Sequence, residues 1–511
     1  MRVPLRQWAS GLPVQVYILV LLVASVPLLY GLGTTGMRPW DEARLAINAS
    51  EMALNKQWLV THIGGQPDLW NTKPPLMIWL QVLAIWLLGN TELAIRLPSA
   101  LAAFATLSLL YWFSVRTLRD MGTGVLSCLV LLTSLGYTGF HMARSGDYDA
   151  LLGFWQTLIW TAFFRYLEDG RPRDWWLLTA GLIGGALTKS IAGLLGLPAL
   201  LLYALYRRQA GKLLTQWRVY TGLGLFIMTV GGYYVLRELA APGYWQAVQY
   251  NDLLGRYTTV QNNNLGSPLF YLLYLKNQQF VPWYLFVGPA VLLLWLQPNP
   301  VLRRAAVLIG LFAGTWLLLI SNSATKLMWY SGPILPALAL LVGLGLACIF
   351  RALHQQYAPT WSTGTSLALF VGLVFWLPYR LLLESITTLE KSRYTEYHPY
   401  RAYLSSLPTT HPGLTRFTVL SPVLFDDIVS PKPHEPTLDY NPVLQYYQLA
   451  CRTEKGLQFQ LKSARQIPEL HPQDTVVVCA VQVRPQLDSA FTTRVLYQDG
   501  PCTTLILGQR K

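Results

Sequence analysis

Long apolar runs alternate with short polar ones over most of the chain, and the alternation stops near residue 384. Runs able to span a bilayer fall near residues 14–33, 94–115, 121–140, 150–167, 175–189, 190–206, 217–237, 281–297, 303–320, 329–350 and 364–383. They predict about eleven transmembrane helices of roughly 20 residues each. One more run, PPLMIWLQVLAIWLLG at 74–89, is short and opens with two prolines. Beyond 384, the segments TRFTVLSPVLF (415–425), TVVVCAVQV (475–483) and CTTLILG (502–508) read as strands, and NPVLQYYQLA (441–450) as a helix start. The predicted organisation is an α-helical polytopic membrane domain over 1–384 and a small α/β domain over 385–511.

Charge placement sets an orientation. If 74–89 lies along the interface as a juxtamembrane helix, Arg116, Arg119, Arg165, Arg171, Arg173, Arg207, Arg208, Lys212, Arg218, Arg303, Arg304 and Arg351 all fall on one side. That is the cytoplasmic bias of membrane proteins. Counting 74–89 as a span would destroy it. The amino terminus is then cytoplasmic, and an odd span count places the C-terminal domain in the periplasm of an inner-membrane protein. Composition agrees: 53% of residues are hydrophobic and 13% charged, against roughly 25% charged in soluble domains. The net charge of +14 follows the loop pattern and does not point to nucleic acid. The first run has no clean small-x-small cleavage site and reads as an uncleaved anchor. Five cysteines lack metal-like spacing. Cys451, Cys479 and Cys502 would share an oxidising compartment, so one pair can be bridged.

The opposite face collects a different set. RPWDEARLAINASEMA (38–53) brings Asp41, Glu42 and Arg44 directly after the first span, and Lys73 precedes the double proline. Further loops are RSGDYD (144–149), YNDLLGR (250–256) and SATKLMWY (323–330). Ionisable groups at a membrane boundary are costly to desolvate and are functional candidates. Carboxylates serve as bases or orient a hydroxyl, while Lys and Arg stabilise a bound or leaving phosphate. A lipid-phosphate donor, its tail between spans and its headgroup at this face, would need both.

DEARLA, KPPL, ARSGDYDALL, YNDLLGR…SPLFYLLYL and SNSATKLMWYSGPILPALALL occur in this order over roughly residues 10–350. Together they resemble bacterial polytopic glycosyltransferases of the C-type fold, the superfamily of lipid A aminoarabinose transferase and the protein O-mannosyltransferases. The resemblance implies inverting transfer of a sugar from a polyprenyl-phosphate (undecaprenyl-phosphate) donor to a protein hydroxyl, a lipid A-like glycolipid or a polysaccharide. It implies Asp41 as the base or acceptor-aligning group, with Glu42 beside it, and Asp149 as the second-loop carboxylate. Lys73, Arg256, Arg44, Tyr330 and Lys326 are implied on the donor phosphate; Asp147 and Asp252 are further candidates. Lys-Pro-Pro favours the bacterial branch over the eukaryotic His-Pro-Pro. Thr72 departs from the Glu-Lys-Pro-Pro of the lipid A branch, which leaves the acceptor open. A lipid monophosphate leaving group requires no obligate metal, and no cofactor is expected beyond the lipid-linked sugar. Membrane lipid is the other expected partner.

Blander roles compete with these. An acidic pair opening a helix complements the helix dipole, Lys73 can snorkel, and Lys326 with Tyr330 can anchor at the interface. Asp147 and Asp149 can be caps, and Arg256 can touch lipid headgroups. His62, His141 and His398 lack ligand spacing and read as structural. A transporter of an anionic or lipidic solute is the alternative function. It would favour mid-span charges and an internal repeat, and neither is evident.

Overall fold

The computed structural model describes residues 12–139, 141–253, 255–260, 265–389, 398–421 and 441–511. Among them, seven helices are long and apolar enough to cross a membrane: Leu12–Leu29, Glu92–Leu118, Pro172–Leu194, Trp217–Ala240, Pro300–Ser321, Met328–Tyr357 and Thr363–Thr388. Each answers to a run expected to span. The helix Asp149–Asp169 is 21 residues long but less apolar, and buries Gln156, Thr157, Trp160 and Thr161.

Other expected runs form shorter helices, for local reasons. Met121–Leu132 ends where the hydroxyls of Thr133 and Ser134 donate back to Leu129 O at 2.7 Å and Val130 O at 2.6 Å. Such local bonds compete with the helical ladder. The run 190–206 opens as the 3-10 turn Ser190–Leu194 before Leu197–Tyr206 begins around Pro198. The run 281–297 is helical over Tyr284–Trp295. The doubtful run 74–89 is helical over Leu76–Leu88, 13 residues. At 1.5 Å per residue this is roughly 20 Å, short of a hydrocarbon core of about 30 Å.

Contacts divide the chain into two compact units, and these are not the two continuous segments 1–384 and 385–511. One comprises Met1–Tyr30, Thr72–Met77 and Pro98–Thr387; the other comprises Gly31–Asn71, Ile78–Leu97 and Thr388–Lys511.

The first unit is a helix bundle around a large apolar core that includes Phe113, Trp160, Phe164, Tyr203, Trp283 and Phe312. Ion pairs mark one of its ends. Glu168 binds Arg207 and Arg304, and Asp120 binds Arg351. Glu168 lies at the far end of its helix from Asp149, and Arg351 lies toward the far end of its helix from Tyr330. Within this bundle, the ion pairs of Glu168 and Asp120 therefore lie at the opposite end from Asp149 and Tyr330.

The second unit holds the helix Asp41–Asn55, the hairpin β1 (His62–Ile63)–β2 (Gln66–Pro67), and a five-stranded sheet. The sheet comprises β3 (Arg416–Ser421), β4 (Gln458–Ser463), β5 (Thr475–Val478), β6 (Phe491–Asp499) and β7 (Cys502–Arg510), in the order β4-β3-β5-β7-β6. β3 runs parallel to β4 and β5, while β7 is antiparallel to β5 and β6. Leu420, Val476, Val478, Leu487, Phe491 and Leu505 form its core. The helix Pro442–Lys455 crosses from β3 to β4. Asn441 Oδ1 caps its start, and Gly456 ends it in the left-handed conformation. Its flank packs on Asp41–Asn55. The disulfide joins Cys479 to Cys502, and Cys451 is free and buried. The expected strand at 415–425 is seen as β3; its residues 422–425 lie outside the described part.

Candidate active site

In the bundle, the helix Asp149–Asp169 and the helix Pro172–Lys189 are joined by a two-residue turn, so they run antiparallel and their far ends meet. Asp149 opens the first and Lys189 closes the second, each with the sign its helix terminus favours. Lys189 Nζ donates to both oxygens of Asp149 at 2.6 and 2.7 Å, with both side chains buried. The ammonium also lies 5.5 Å from the ring centre of Tyr330, whose carbonyl accepts Trp316 Nε1–H at 2.9 Å.

Two residues away, Asp147 is ion-paired with His141 and accepts the Tyr148 amide at 2.9 Å. His141 stacks on Trp329, ring centres 3.6 Å apart. Burial pushes the Asp147 carboxyl up. The His141 ring, Lys189 and the Tyr148 amide outweigh it and hold the group below the usual carboxylate range. Lys73 Nζ lies 5.6 Å from the ring centre of Tyr148. The Thr72 carbonyl before it accepts the Tyr244 hydroxyl at 2.7 Å. The bundle thus brings Lys73, Asp147, Asp149 and Tyr330 into one neighbourhood. It adds Lys189 and His141, of which the first was not anticipated and the second was read as structural.

Three other expected residues fare differently. Lys326 Nζ donates to the carbonyls of Ser321 and Ser323, so its ammonium caps the end of Pro300–Ser321. Asp252, half-buried, acts electrostatically on Tyr234, whose hydroxyl is 2.9 Å from Ser190 Oγ. Arg256 is in the short helix Gly255–Thr258; its side chain lies outside the described residues.

In the second unit, Asp41 is the first residue of the helix Asp41–Asn55. It follows Trp40, held at φ 67° and ψ −117°, a conformation that costs a non-glycine residue about 1–3 kcal/mol. Three carboxylates on or beside this helix are taken. Glu42 accepts Arg96 Nε–H at 2.8 Å, Arg96 Nη2–H at 2.9 Å and the Arg38 amide at 2.8 Å, so both its oxygens are occupied. Asp68 accepts Arg44 Nη2–H at 3.2 Å, and Arg44 also sits 5.3 Å from the Trp70 ring centre. Glu51 accepts the Gly64 and Gly65 amides of the β1–β2 turn at 2.6 and 3.0 Å. The Asp41 carboxylate, half-buried, makes no hydrogen bond or ion pair among the described residues. Glu42 and Arg44, expected at the reaction, thus hold their own helix in place.

Lys189 and Arg96 escaped the sequence reading for one reason. Each lies inside or against a run that hydropathy reads as a span. A cation within an apolar run is itself a signal, and ALTKSIAGLLGLP carries it.

The family model for dolichyl-phosphate-mannose-protein mannosyltransferase matches residues 72–233. The undecaprenyl phosphate-alpha-4-amino-4-deoxy-L-arabinose arabinosyl transferase of Pseudomonas aeruginosa is 27% identical over 342 residues, which is 64% of this chain and 59% of that protein. The transferase of the same name from Pectobacterium atrosepticum is 25% identical over 65% of this chain and 60% of its own. The chain thus spans about 60% of the length of these relatives. Among solved structures, ArnT from Cupriavidus metallidurans bound to undecaprenyl phosphate superposes with a TM-score of 0.64 at 17% identity, covering 98% of each chain. The fold is that of ArnT. In sequence, the chain resembles the glycosyltransferase group of aminoarabinose transferase and the protein mannosyltransferases, and with this fold it is a multi-pass membrane protein. The resemblance covers the segments that carry Lys73, Asp147, Asp149 and Lys189.

Proposed function

We propose that this chain transfers a sugar, with inversion, from a polyprenyl-phosphate donor to a hydroxyl-bearing acceptor at the periplasmic face of the inner membrane. Asp41 acts as the base: it takes the acceptor's hydroxyl proton as that oxygen bonds to the anomeric carbon. The bond from that carbon to the phosphate oxygen breaks on the opposite face, and its electron pair leaves with the lipid phosphate. Lys73 and Tyr330 stabilise the departing charge, with Arg256 as the third phosphate partner. Asp149, held by Lys189, lines the same end of the bundle as Lys73. A protein, a lipid A-like glycolipid and a polysaccharide all remain acceptors of the right chemistry.

The observation that carries this reading is the Asp41 carboxylate, which makes no hydrogen bond or ion pair among the described residues, beside Glu42, Glu51 and Asp68, whose carboxylates are all bonded. A carboxylate left unpaired in a folded, half-buried site has its lone pairs available for substrate. The similarity to transferases named for undecaprenyl-phosphate and dolichyl-phosphate sugars supports the donor class. The odd count of expected spans and the Cys479–Cys502 bridge support a periplasmic C-terminal region. The chemistry calls for no obligate metal.

Purified protein incubated with a panel of polyprenyl-phosphate sugars and nucleotide sugars should consume one lipid-linked donor selectively. Asp41→Asn should fold and still bind undecaprenyl phosphate, yet lose turnover by at least about a hundredfold. A folded Asp41→Asn variant with full activity would remove Asp41 from the reaction.

A further inference from the structure

Residues 31–40, which deliver Asp41 to the start of its helix, contain no regular secondary structure, yet side chains hold the backbone at residues 32, 33, 35, 36, 37 and 38. Arg96, 1% exposed, uses its whole guanidinium. Nη1 donates to the carbonyls of Leu32 at 2.9 Å and Thr35 at 3.0 Å, and to Thr35 Oγ1 at 2.8 Å. Nη2 donates to Gly36 O at 2.8 Å, and the remaining donors reach Glu42. The Arg38 amide is held by Glu42.

The other bonds come from more than 350 residues further along the chain. Arg401 Nη2 donates to Gly33 O at 2.7 Å, and Arg401 Nε to Glu92 Oε1 at 2.6 Å. The Tyr447 hydroxyl accepts the Met37 amide at 2.9 Å and donates to the same Glu92 oxygen at 3.2 Å. Gly33 packs so closely on Leu93 that an added Cβ would lie 2.9 Å from the Leu93 Cβ. The carbonyls of residues 32, 33, 35 and 36 and the amides of 37 and 38 are thus bound by Arg96, Arg401, Tyr447 and Glu42. Two cations and two carboxylates, Glu42 and Glu92, balance in charge. Directly after this segment comes Trp40, in a backbone conformation that only an over-determined surrounding sustains.

We propose that Arg401 and Tyr447, from the C-terminal region, are positioning residues for Asp41: through Glu92 and the segment 32–38 they set where its carboxylate stands. The inference rests on the base role of Asp41. Misplacing a reacting group by about 1 Å costs on the order of a hundredfold in rate. A brace of this kind therefore acts on turnover, while donor binding by other residues continues.

The test uses the full chain in detergent or nanodiscs. Arg401 is partly exposed, and Tyr447→Phe removes one hydroxyl from a buried ring without changing its packing, so both Arg401→Gln and Tyr447→Phe are expected to fold. Amide hydrogen exchange should speed up over residues 32–41. With the lipid-linked sugar that the wild-type chain consumes, kcat should fall about tenfold or more. Affinity for undecaprenyl phosphate should stay within about twofold of wild type, and Arg401→Lys should recover part of the loss. Unchanged exchange in the segment overturns the proposal, as does faster exchange with wild-type kcat. An equal loss of donor affinity overturns it too, by pointing to general unfolding of the site. Asp41→Asn is assayed beside them. Its full turnover would sink the base role, and the inference with it, on a measurement separate from the segment's exchange.

Discussion

Asp147 faces His141, the Tyr148 amide, Lys189 and Asp149, and its carboxyl is held below the usual range although burial works against it. A carboxyl depressed in the folded state contributes stability above its unfolded pKa, about 4, and loses that contribution as pH falls through the folded value. Asp147→Asn removes the contribution at any pH. The wild-type protein should therefore melt above Asp147→Asn at pH 5–6, and the gap should narrow as pH drops below about 4. Thermal unfolding in detergent from pH 3 to 6 measures it, and a gap that persists at pH 3 contradicts the assignment. At this scale the sequence was partly legible. Asp41, Lys73, Asp147, Asp149 and Tyr330 stand in loops or at run boundaries, where charge and hydropathy make them candidates, and Lys73, Asp147, Asp149 and Tyr330 fall in one neighbourhood of the bundle. The pairing of Glu42 with Arg96 and of Arg44 with Asp68 was not legible, because a sequence does not show which carboxylate meets a buried guanidinium.

Among elements, the hairpin of Asp149–Asp169 and Pro172–Lys189 does the most for the site, since its geometry alone brings Asp149 to Lys189. With the pair buried, removing one partner strands a charge, at a cost of about 3–5 kcal/mol. Lys189→Met should lower stability by that order. Lys189→Met with Asp149→Leu should recover most of it, since no stranded carboxylate remains at position 149 and Asp147 keeps its pairing with His141. Chemical denaturation of the two variants and wild type gives the comparison; equal losses in both variants would mean that packing, and not charge, sets the cost. The same scale shows why hydropathy misjudged helix length. Thr133, Ser134 and Pro198 weigh little in a window average, yet each sits where a helix ends or begins.

For the whole molecule, the units cut across the chain. The expected boundary near 384 follows the change in composition, whereas contacts group 31–71 and 78–97 with the C-terminal residues. Composition along a chain reports solvent; it cannot report which distant segment a loop will pack on. The thiols give a check on the whole fold. Cys128, Cys348 and Cys451 are free and buried, and Cys479 is bridged to Cys502. Burial pushes the Cys451 thiol up to about 11, with Lys455 opposing, so it stays protonated and unreactive near neutral pH. Alkylation at pH 8 should label almost nothing in the folded protein. It should label three thiols after unfolding and five after reduction. Mass spectrometry reads all three states, and a Cys451 labelled in the folded protein would contradict the packing of the helix Pro442–Lys455.

By itself the sequence determined the solvent of each segment, and with it the membrane class, the apolar runs from which the long helices form, the basic end of the bundle and the loops that carry candidate carboxylates. Those properties are local sums over ten to twenty residues, and hydropathy and charge report such sums well. Only the tertiary structure decided which charges neutralise one another. It paired Glu42 with Arg96 and Asp149 with Lys189, set Lys326 to cap a helix, and gave Asp41 no hydrogen bond or ion pair among the described residues. It also tied the first loop to Arg401 and Tyr447. A pairing energy depends on distance and burial, and residues separated by tens or hundreds of positions acquire both only when the chain has packed.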